Sequence, residues 1–263
     1  MIDSINQLVV AVRNSIRNKQ PWPHWTTSNC LSDSLIRNLH EEFGITKWPL
    51  HGESTEHPGS FETTWSSNKE DTYTNGDDCY KGHRLYFRKG IETNPVAKEL
   101  IDIVTNKAVV DTFREVTHKP LNNLFAKICY VTERTGWKMH IHDDHPESCR
   151  LTMIVYLPQD DVSDGNTMGT SLYNQDLTLH HRATYDYNLG EFFIPCKKKF
   201  RRTLHGFDGD IPSTRNFLLF QYLSYDDIDM SNPQIPNHYD GVFDKPQLTY
   251  HYDTLENLWR VDE

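Results

Sequence analysis

The sequence has no long apolar run and no surplus of basic charge. No stretch approaches the roughly 18 consecutive apolar residues of a membrane-spanning helix, and the N-terminus lacks the basic, apolar and small-residue order of a signal peptide. Asp and Glu outnumber Lys and Arg by 37 to 27, and the resulting net charge of −10 disfavours binding to nucleic-acid phosphates. We therefore expect a soluble, cytoplasmic protein that binds neither nucleic acid nor membranes.

Cysteine is scarce and unpatterned. The five copies are scattered without a Cys-x-x-Cys pair, which argues against a disulfide framework and against a zinc ribbon. The chain of 263 residues also has no internal repeat, low-complexity tract or linker, so we expect a single domain over 1–263. A homodimer is compatible with this composition. The cysteines are Cys30, Cys79, Cys129, Cys149 and Cys196.

Helical patterns and polar loops dominate the first 120 residues. The polar stretch 49–82 has the composition of a long loop, and loops of this length often cover a binding site. We expect residues 1–120 to support the core and to supply such a lid. Apolar spacing and capping residues predict helices over 2–18, from Ser32 or Asp33 to Gly44, and over 95–117.

After residue 120 the pattern changes to short strands rich in β-branched and aromatic residues, separated by turn sequences. Such strands predict a mainly β fold with flanking helices, namely a double-stranded β-helix of the jelly-roll or cupin-like type. We expect its core over 121–225, braced by the helices, and a C-terminal extension over 226–263. The predicted strands are 123–133, 137–142, 150–158, 169–174, 183–188, 191–195, 201–207 and 214–225.

The stretch HIHDDHPES, residues 140–148, holds three histidines and three acidic residues. Because residues i and i+2 of a strand point to the same side, His142 and Asp144 can present a nitrogen and an oxygen to one ion. The third ligand must come from another strand, and His205, in the segment TLHGF, is the candidate. Two His and one carboxylate suit non-haem Fe(II) and leave coordination positions open.

Arg215 follows His205 by ten residues and begins an apolar strand pattern. A buried, unpaired cation is costly, so its guanidinium needs a partner there. A carboxylate matches a guanidinium in bidentate geometry, and a dianionic co-substrate would supply one.

Neighbouring polar residues are expected to have no part in metal binding. Asp143 and His145 alternate with the predicted ligands, so we expect them at a turn on the surface. The basic run 197–202 is expected to be a solvated turn that could also steer an anionic substrate.

In their order along the chain these motifs resemble those of the 2-oxoglutarate- and Fe(II)-dependent dioxygenases, closest to the prolyl-hydroxylase-like branch. The resemblance covers about 125–225 and leaves the N-terminal half unmatched. Pro158 and Phe217 depart from the family pattern, and Phe217 weakens the likeness of the co-substrate pocket. The matching residues are Gly136, His142, Asp144, Tyr156, Leu157, Gly169, Thr170, His205 and Arg215.

The resemblance implies that His142, Asp144 and His205 bind Fe(II), with 2-oxoglutarate and O2 as co-substrates. It also implies oxidative decarboxylation of 2-oxoglutarate to succinate and CO2, coupled to hydroxylation of an unactivated C–H bond. The substrate would be an amino-acid-like small molecule or a peptide or protein side chain.

By the same resemblance, Arg215 would pair with the distal carboxylate of 2-oxoglutarate, and Tyr156 would donate a hydrogen bond to that carboxylate. His140 and Thr170 would support these residues or face the substrate.

Two alternatives stay open. His140, His142 and Glu147 have the His-x-His-x4-Glu spacing of a cupin metal site, with His205 as the fourth ligand. That site would serve an isomerase, a co-substrate-independent oxygenase or a binding module, and Arg215 would have no role in it. The other alternative is a jelly roll without metal or activity.

Overall fold

The computed structural model describes residues 2–44, 60–64, 82–87, 90–122, 124–133, 139–144, 149–159, 168–196, 201–207, 213–224, 234–236, 252–254 and 258–261. Side chains are described in these segments except at 60–64, 82–84, 140, 234–236, 252–254 and 258. The helices are α1 (Ile2–Arg13), α2 (Asp33–Phe43), α3 (Pro95–Thr105) and α4 (Lys107–Thr117), with a 3-10 turn at Ile91–Thr93.

The strands before and within the predicted core are β1 (Ile16–Asn18), β2 (His24–Ser28), β3 (Ser60–Thr64), β4 (Gly82–Tyr86), β5 (Leu124–Glu133), β6 (Met139–His142), β7 (Cys149–Tyr156), β8 (Ser171–Tyr173), β9 (Leu179–Arg182), β10 (Leu189–Phe193), β11 (His205–Phe207) and β12 (Arg215–Ser224). Three more follow, β13 (Gln234–Pro236), β14 (Tyr252–Thr254) and β15 (Leu258–Arg260).

The strands from β5 to β12 are divided between two antiparallel sheets. The major sheet has the order β1-β2-β10-β7-β12-β5-β4-β3, and the minor sheet has the order β6-β11-β8-β9. Along the chain, β5, β7, β10 and β12 join the major sheet, while β6, the β8–β9 hairpin and β11 join the minor sheet. This alternation is the winding of a double-stranded β-helix, and it confirms the predicted fold class.

Side chains on β7 show how the major sheet is covered on both faces. Met153 and Val155 pack in one apolar cluster with residues of all four helices. Ile154 and Tyr156 point the other way and pack with Phe207 of the minor sheet. The helices therefore brace the outer face of the sheet, as predicted, and the space between the sheets forms a second core.

Helix boundaries follow from capping side chains. The Ser32 hydroxyl accepts a hydrogen bond from the Leu35 amide at 3.2 Å and begins α2, as predicted. The single helix predicted over 95–117 is wrong, because Asn106 divides it. Its extended backbone ends α3, and its side chain accepts a hydrogen bond from the Ala108 amide at 2.9 Å to begin α4.

Two other sequence predictions are corrected. The helix predicted over 2–18 ends at Arg13, because residues 16–18 pair with β2 as an edge strand. The strand predicted over 183–188 is absent from the described chain, and β9 precedes it. Asn188 has a left-handed backbone, φ 57°, and its side chain hydrogen-bonds both the amide and the carbonyl of Leu31. These bonds hold the segment in a turn.

Segments from outside the predicted core also enter the major sheet. β4 and β15 both pair with β5, and β3 pairs with β4. The division into 1–120, 121–225 and 226–263 stays a prediction. None of the helices in the described segments is long and apolar enough to cross a membrane.

The described cysteines are free, in agreement with the absence of a disulfide pattern. Cys30 and Cys149 are buried, and burial raises the pKa of the Cys30 thiol to about 12. Cys79 lies outside the described residues.

A carboxyl group is buried without a hydrogen bond on β10. Glu191 is 1% exposed, and neither of its carboxyl oxygens has a hydrogen-bond partner among the described residues. Nε2 of His24 lies 3.9 Å from its Oε1. Burial raises the pKa of Glu191 to about 8 and lowers the pKa of His24. A protonated acid therefore faces a neutral imidazole at neutral pH.

We predict that Glu191→Gln removes a pH-dependent loss of stability. The pKa of Glu191 is about 8 in the folded protein against an ordinary value of 4.5, so the folded chain keeps a proton that the unfolded chain releases. The resulting stability is complete below pH 4.5 and is lost as the pH rises through about 8, a change on the order of 5 kcal/mol. Urea unfolding of both proteins across this range measures the difference. If the free energy of unfolding changes with pH in the same way in both proteins, Glu191 is not protonated in the folded protein. His24 is present in both proteins, so it does not account for a difference between them.

Candidate metal centre

The pairing of β6 with β11 brings the predicted metal ligands together. His142 ends β6 and lies directly opposite His205, which begins β11, and their ring centroids are 4.3 Å apart. Asp144 follows His142 by two residues. One ligand atom of each of these three residues lies within 4.8 Å of the other two. The structure thus assembles the three side chains that the sequence singled out.

A backbone hydrogen bond determines which nitrogen His205 offers. Its Nδ1 lies 2.8 Å from the carbonyl oxygen of Thr203, so Nδ1–H donates to that oxygen. Nε2 is left to face the site and lies 3.8 Å from Oδ1 of Asp144. The ring of Phe193 packs edge-on against the imidazole, with centroids 4.9 Å apart. His205 is therefore held with its ligand atom toward the site.

Asp144 is held as a carboxylate. The Thr152 hydroxyl donates to its Oδ2, and Gln221 Nε2 donates to that hydroxyl at 3.4 Å. Burial raises the pKa of Asp144, but the nearby His205 and His142, with these hydrogen bonds, bring it below the ordinary value. Oδ1 is left as the charged oxygen that faces His205.

This donor set fits a divalent transition metal. Two neutral imidazoles and one carboxylate suit Fe(II), and related ions such as Mn(II) accept the same ligands. The hydrogen bonds from Thr152 to Asp144 and from His205 to Thr203 orient the ligands in the way that metal sites commonly require.

Asp143 corrects a sequence prediction. It was expected at the surface, but it is 6% exposed and accepts hydrogen bonds from Nε and Nη2 of Arg202 at 2.7 and 2.8 Å. Because neighbouring residues of an extended chain point in opposite directions, Asp143 faces away from the metal ligands. Arg202 belongs to the predicted basic turn and is bound rather than solvated. His145 and 197–200 lie outside the described residues.

Arg215 is buried at the start of β12 and already has an acidic partner. Its Nε donates to Oε2 of Glu133 at 2.8 Å, Nη2 donates to the same oxygen, and Nη1 donates to the carbonyl of Met168 at 2.6 Å. Glu133 lies directly opposite Arg215 in the β5–β12 register. Our sequence reasoning missed Glu133. The available signal was an acidic residue at the end of a mostly apolar strand.

Tyr156 and Thr170 bind each other. The Tyr156 hydroxyl donates to Oγ1 of Thr170 at 2.8 Å and accepts a hydrogen bond from its amide at 2.9 Å. Gly169 is required in the adjoining turn, since a Cβ there would lie 1.7 Å from the carbonyl oxygen of Ala183. The turn 168–170 thus contacts both residues predicted to bind the co-substrate. Glu147 and the side chain of His140 lie outside the part of the chain that the structure describes.

Comparisons with known proteins give similarity in structure only. No family model and no curated sequence matches this chain. A prolyl-4-hydroxylase from Pseudomonas putida aligns over 84% of this chain and 98% of its own, with 10% identity and a TM-score of 0.47. A prolyl hydroxylase from Trichoplax adhaerens, solved with a peptide fragment of the hypoxia-inducible factor, aligns over 87% and 92%, with 13% identity and a TM-score of 0.47.

A viral collagen prolyl hydroxylase from Paramecium Bursaria Chlorella virus-1, solved as a 2-oxoglutarate complex, aligns over 76% of this chain and 96% of its own. Its identity is 13% and its TM-score is 0.45. Because the identities and TM-scores are this low, the argument for a function rests on the residues of the site.

We predict that Asp144→Asn weakens Mn(II) binding by at least about 100-fold, because it removes the charged ligand; loss of groups that only orient ligands typically costs 10- to 100-fold. Asp143→Asn is the matched control and should leave Mn(II) affinity unchanged. It should lower the free energy of unfolding by about 1–3 kcal/mol, because Arg202 loses its charged acceptor. Titration calorimetry and urea unfolding measure the two effects. Equal losses of Mn(II) affinity in both variants would refute the ligand assignment.

Proposed function

We propose that this protein is an Fe(II)- and 2-oxoglutarate-dependent dioxygenase that hydroxylates an unactivated C–H bond. The observation that carries the proposal is the cluster of His142, Asp144 and His205, whose ligand atoms lie within 4.8 Å of one another inside a double-stranded β-helix. A facial set of two His and one carboxylate is typical of this chemistry.

The protein's part in this chemistry is to hold and orient. Bound Fe(II) would supply the redox chemistry that couples decarboxylation of 2-oxoglutarate, giving succinate and CO2, to oxidation of the substrate. His142 and His205 would hold the ion as neutral ligands and Asp144 as a charged one. With only three protein ligands, coordination positions are left for the co-substrates.

Arg215 is suited to receive the distal carboxylate of 2-oxoglutarate. Its guanidinium is enclosed by aromatic rings, with Cζ 4.6 Å from the ring centroid of Phe207 and 5.2 Å from that of Phe217. Phe207 lies on the same strand as His205, so β11 contributes both a ring against the Arg215 guanidinium and a candidate metal ligand. Exclusion of water by these rings strengthens a charge-assisted hydrogen bond to a carboxylate.

In this proposal Tyr156 acts mainly through Thr170. Its hydroxyl is hydrogen-bonded to Thr170 and thereby fixes the turn whose Met168 carbonyl accepts from Arg215. A direct hydrogen bond from Tyr156 to the co-substrate, as predicted from the sequence, requires its hydroxyl to turn away from Thr170.

The proposed substrate is an amino-acid-like small molecule or a peptide or protein side chain. The cupin alternative is less well supported, because Asp144 belongs to the cluster and has no role in a cupin site. The expectations of a cytoplasmic location, of a homodimer and of no nucleic-acid partner stay predictions.

We predict succinate release when the protein receives Fe(II), 2-oxoglutarate and O2, with a rise when the correct amino acid or peptide is added. Asp144→Ala should release none, because the charged ligand is lost, whereas Asp143→Asn should retain activity in its folded fraction. Mass spectrometry of succinate and of the candidate substrates provides the measurement.

Two other results would decide for the alternatives. A metal-loaded protein that transforms a substrate while leaving 2-oxoglutarate unconsumed would be a cupin-type enzyme. A protein whose unfolding temperature does not change with Fe(II) or Mn(II) would be a metal-free jelly roll.

A further inference from the structure

The ion pair between Arg215 and Glu133 has an unusual geometry. Two nitrogens of the guanidinium, Nε and Nη2, donate to the same oxygen, Oε2 of Glu133. The second oxygen, Oε1, is buried and has no hydrogen-bond partner among the described residues. Arg–carboxylate pairs frequently use both oxygens, with one donor to each. Glu133 therefore keeps acceptor capacity and charge that Arg215 does not satisfy.

The guanidinium of Arg215 also has N–H groups that neither Glu133 nor Met168 uses. Arg has five N–H groups, and in the described chain Arg215 uses one on Nε and one on Nη2 toward Glu133, and one on Nη1 toward Met168. One N–H on Nη1 and one on Nη2 remain. Both belong to the terminal nitrogens, and an incoming carboxylate can accept from them. Glu133 and a ligand can thus bind Arg215 at the same time, through different N–H groups.

Glu133 changes the charge that such a ligand meets. Arg215 is 4% exposed and Glu133 is fully buried, so the two opposite charges largely cancel for an approaching ligand and solvent screens them little. A carboxylate that accepts from the remaining N–H groups of Arg215 is attracted by the guanidinium. It is repelled by Glu133, which binds the same guanidinium through Nε and Nη2. At an effective dielectric constant of about 20, like charges at such distances weaken binding by about tenfold or more.

We propose that Glu133 is a specificity-determining residue that weakens binding of the distal carboxylate of 2-oxoglutarate at Arg215. This inference rests on the proposed function, in which Arg215 receives that carboxylate. Glu133 occupies Nε and one N–H of Nη2 and offsets the positive charge that attracts the carboxylate. The affinity for 2-oxoglutarate is therefore lower than an unopposed buried arginine would give. The effect concerns the distal carboxylate and not the 2-oxo-acid end of the molecule.

The experiment measures binding, not turnover. 2-Oxoglutarate is titrated without oxygen into the Mn(II)-loaded full chain by calorimetry, for the natural protein and for Glu133→Gln. Glutamine keeps a carbonyl oxygen for Nε and Nη2 of Arg215 and loses only the charge. Glu133→Met is a second neutral variant, and Glu133→Asp retains the charge. 2-Oxobutyrate is the control ligand, because it has the same 2-oxo-acid end and no distal carboxylate.

The expected result is binding of 2-oxoglutarate at least about tenfold tighter in the neutral variants, with no tightening in Glu133→Asp and no change for 2-oxobutyrate. Unchanged or weaker 2-oxoglutarate binding in a folded neutral variant with natural Mn(II) affinity would overturn the inference. So would equal tightening of both ligands, or a failure of both neutral variants to fold while Glu133→Asp folds. If every protein binds Mn(II) and none binds 2-oxoglutarate, the proposed function itself fails.

Discussion

The register between β6 and β11 is the constraint on which the site depends. It sets His142 opposite His205, and because strand residues alternate between faces, a slip by one residue would turn one imidazole away from the other. β11 has only three residues, and its pairing shifts before Phe207. The register is supported from its other side by β8 and beyond β8 by β9. The minor sheet therefore acts as the frame for the two histidines, and the major sheet supplies Thr152, which binds Asp144, and Gln221, which binds Thr152.

Features that depend on local periodicity could be predicted from the sequence. The alternation of His142 and Asp144, the apolar strands and the cap at Ser32 all arise from neighbouring residues, so the sequence contains their signal directly. The fold class also follows from local patterns, because many short strands in succession have few ways to bury their apolar faces. His205 could be predicted because it lies in a late strand pattern with an apolar and aromatic setting, and its offset of ten residues in turn singled out Arg215.

The features that the sequence did not predict have other causes. The partners of Arg215 and Arg202 are 82 and 59 residues away along the chain, and only the completed sheets bring them together. Asp143 was expected at the surface because it alternates with the predicted ligands, and the cation that allows its burial belongs to a distant run. Asn106 was misread for another reason. An apolar face continues through it, and the side-chain hydrogen bond that breaks the helix competes with that periodicity.

The hydrogen bonds around the ligands are made entirely within the protein. Thr203 holds His205, Thr152 holds Asp144, and Arg202 fixes the residue next to Asp144. Because these protein groups hold the ligand side chains in place, binding of an ion requires little further loss of their conformational entropy. Exchange of the ion should then leave the fold intact, in contrast to zinc-dependent domains that unfold without metal. Occupancy of the site would follow the supply of metal in the cell and not the folding of the chain.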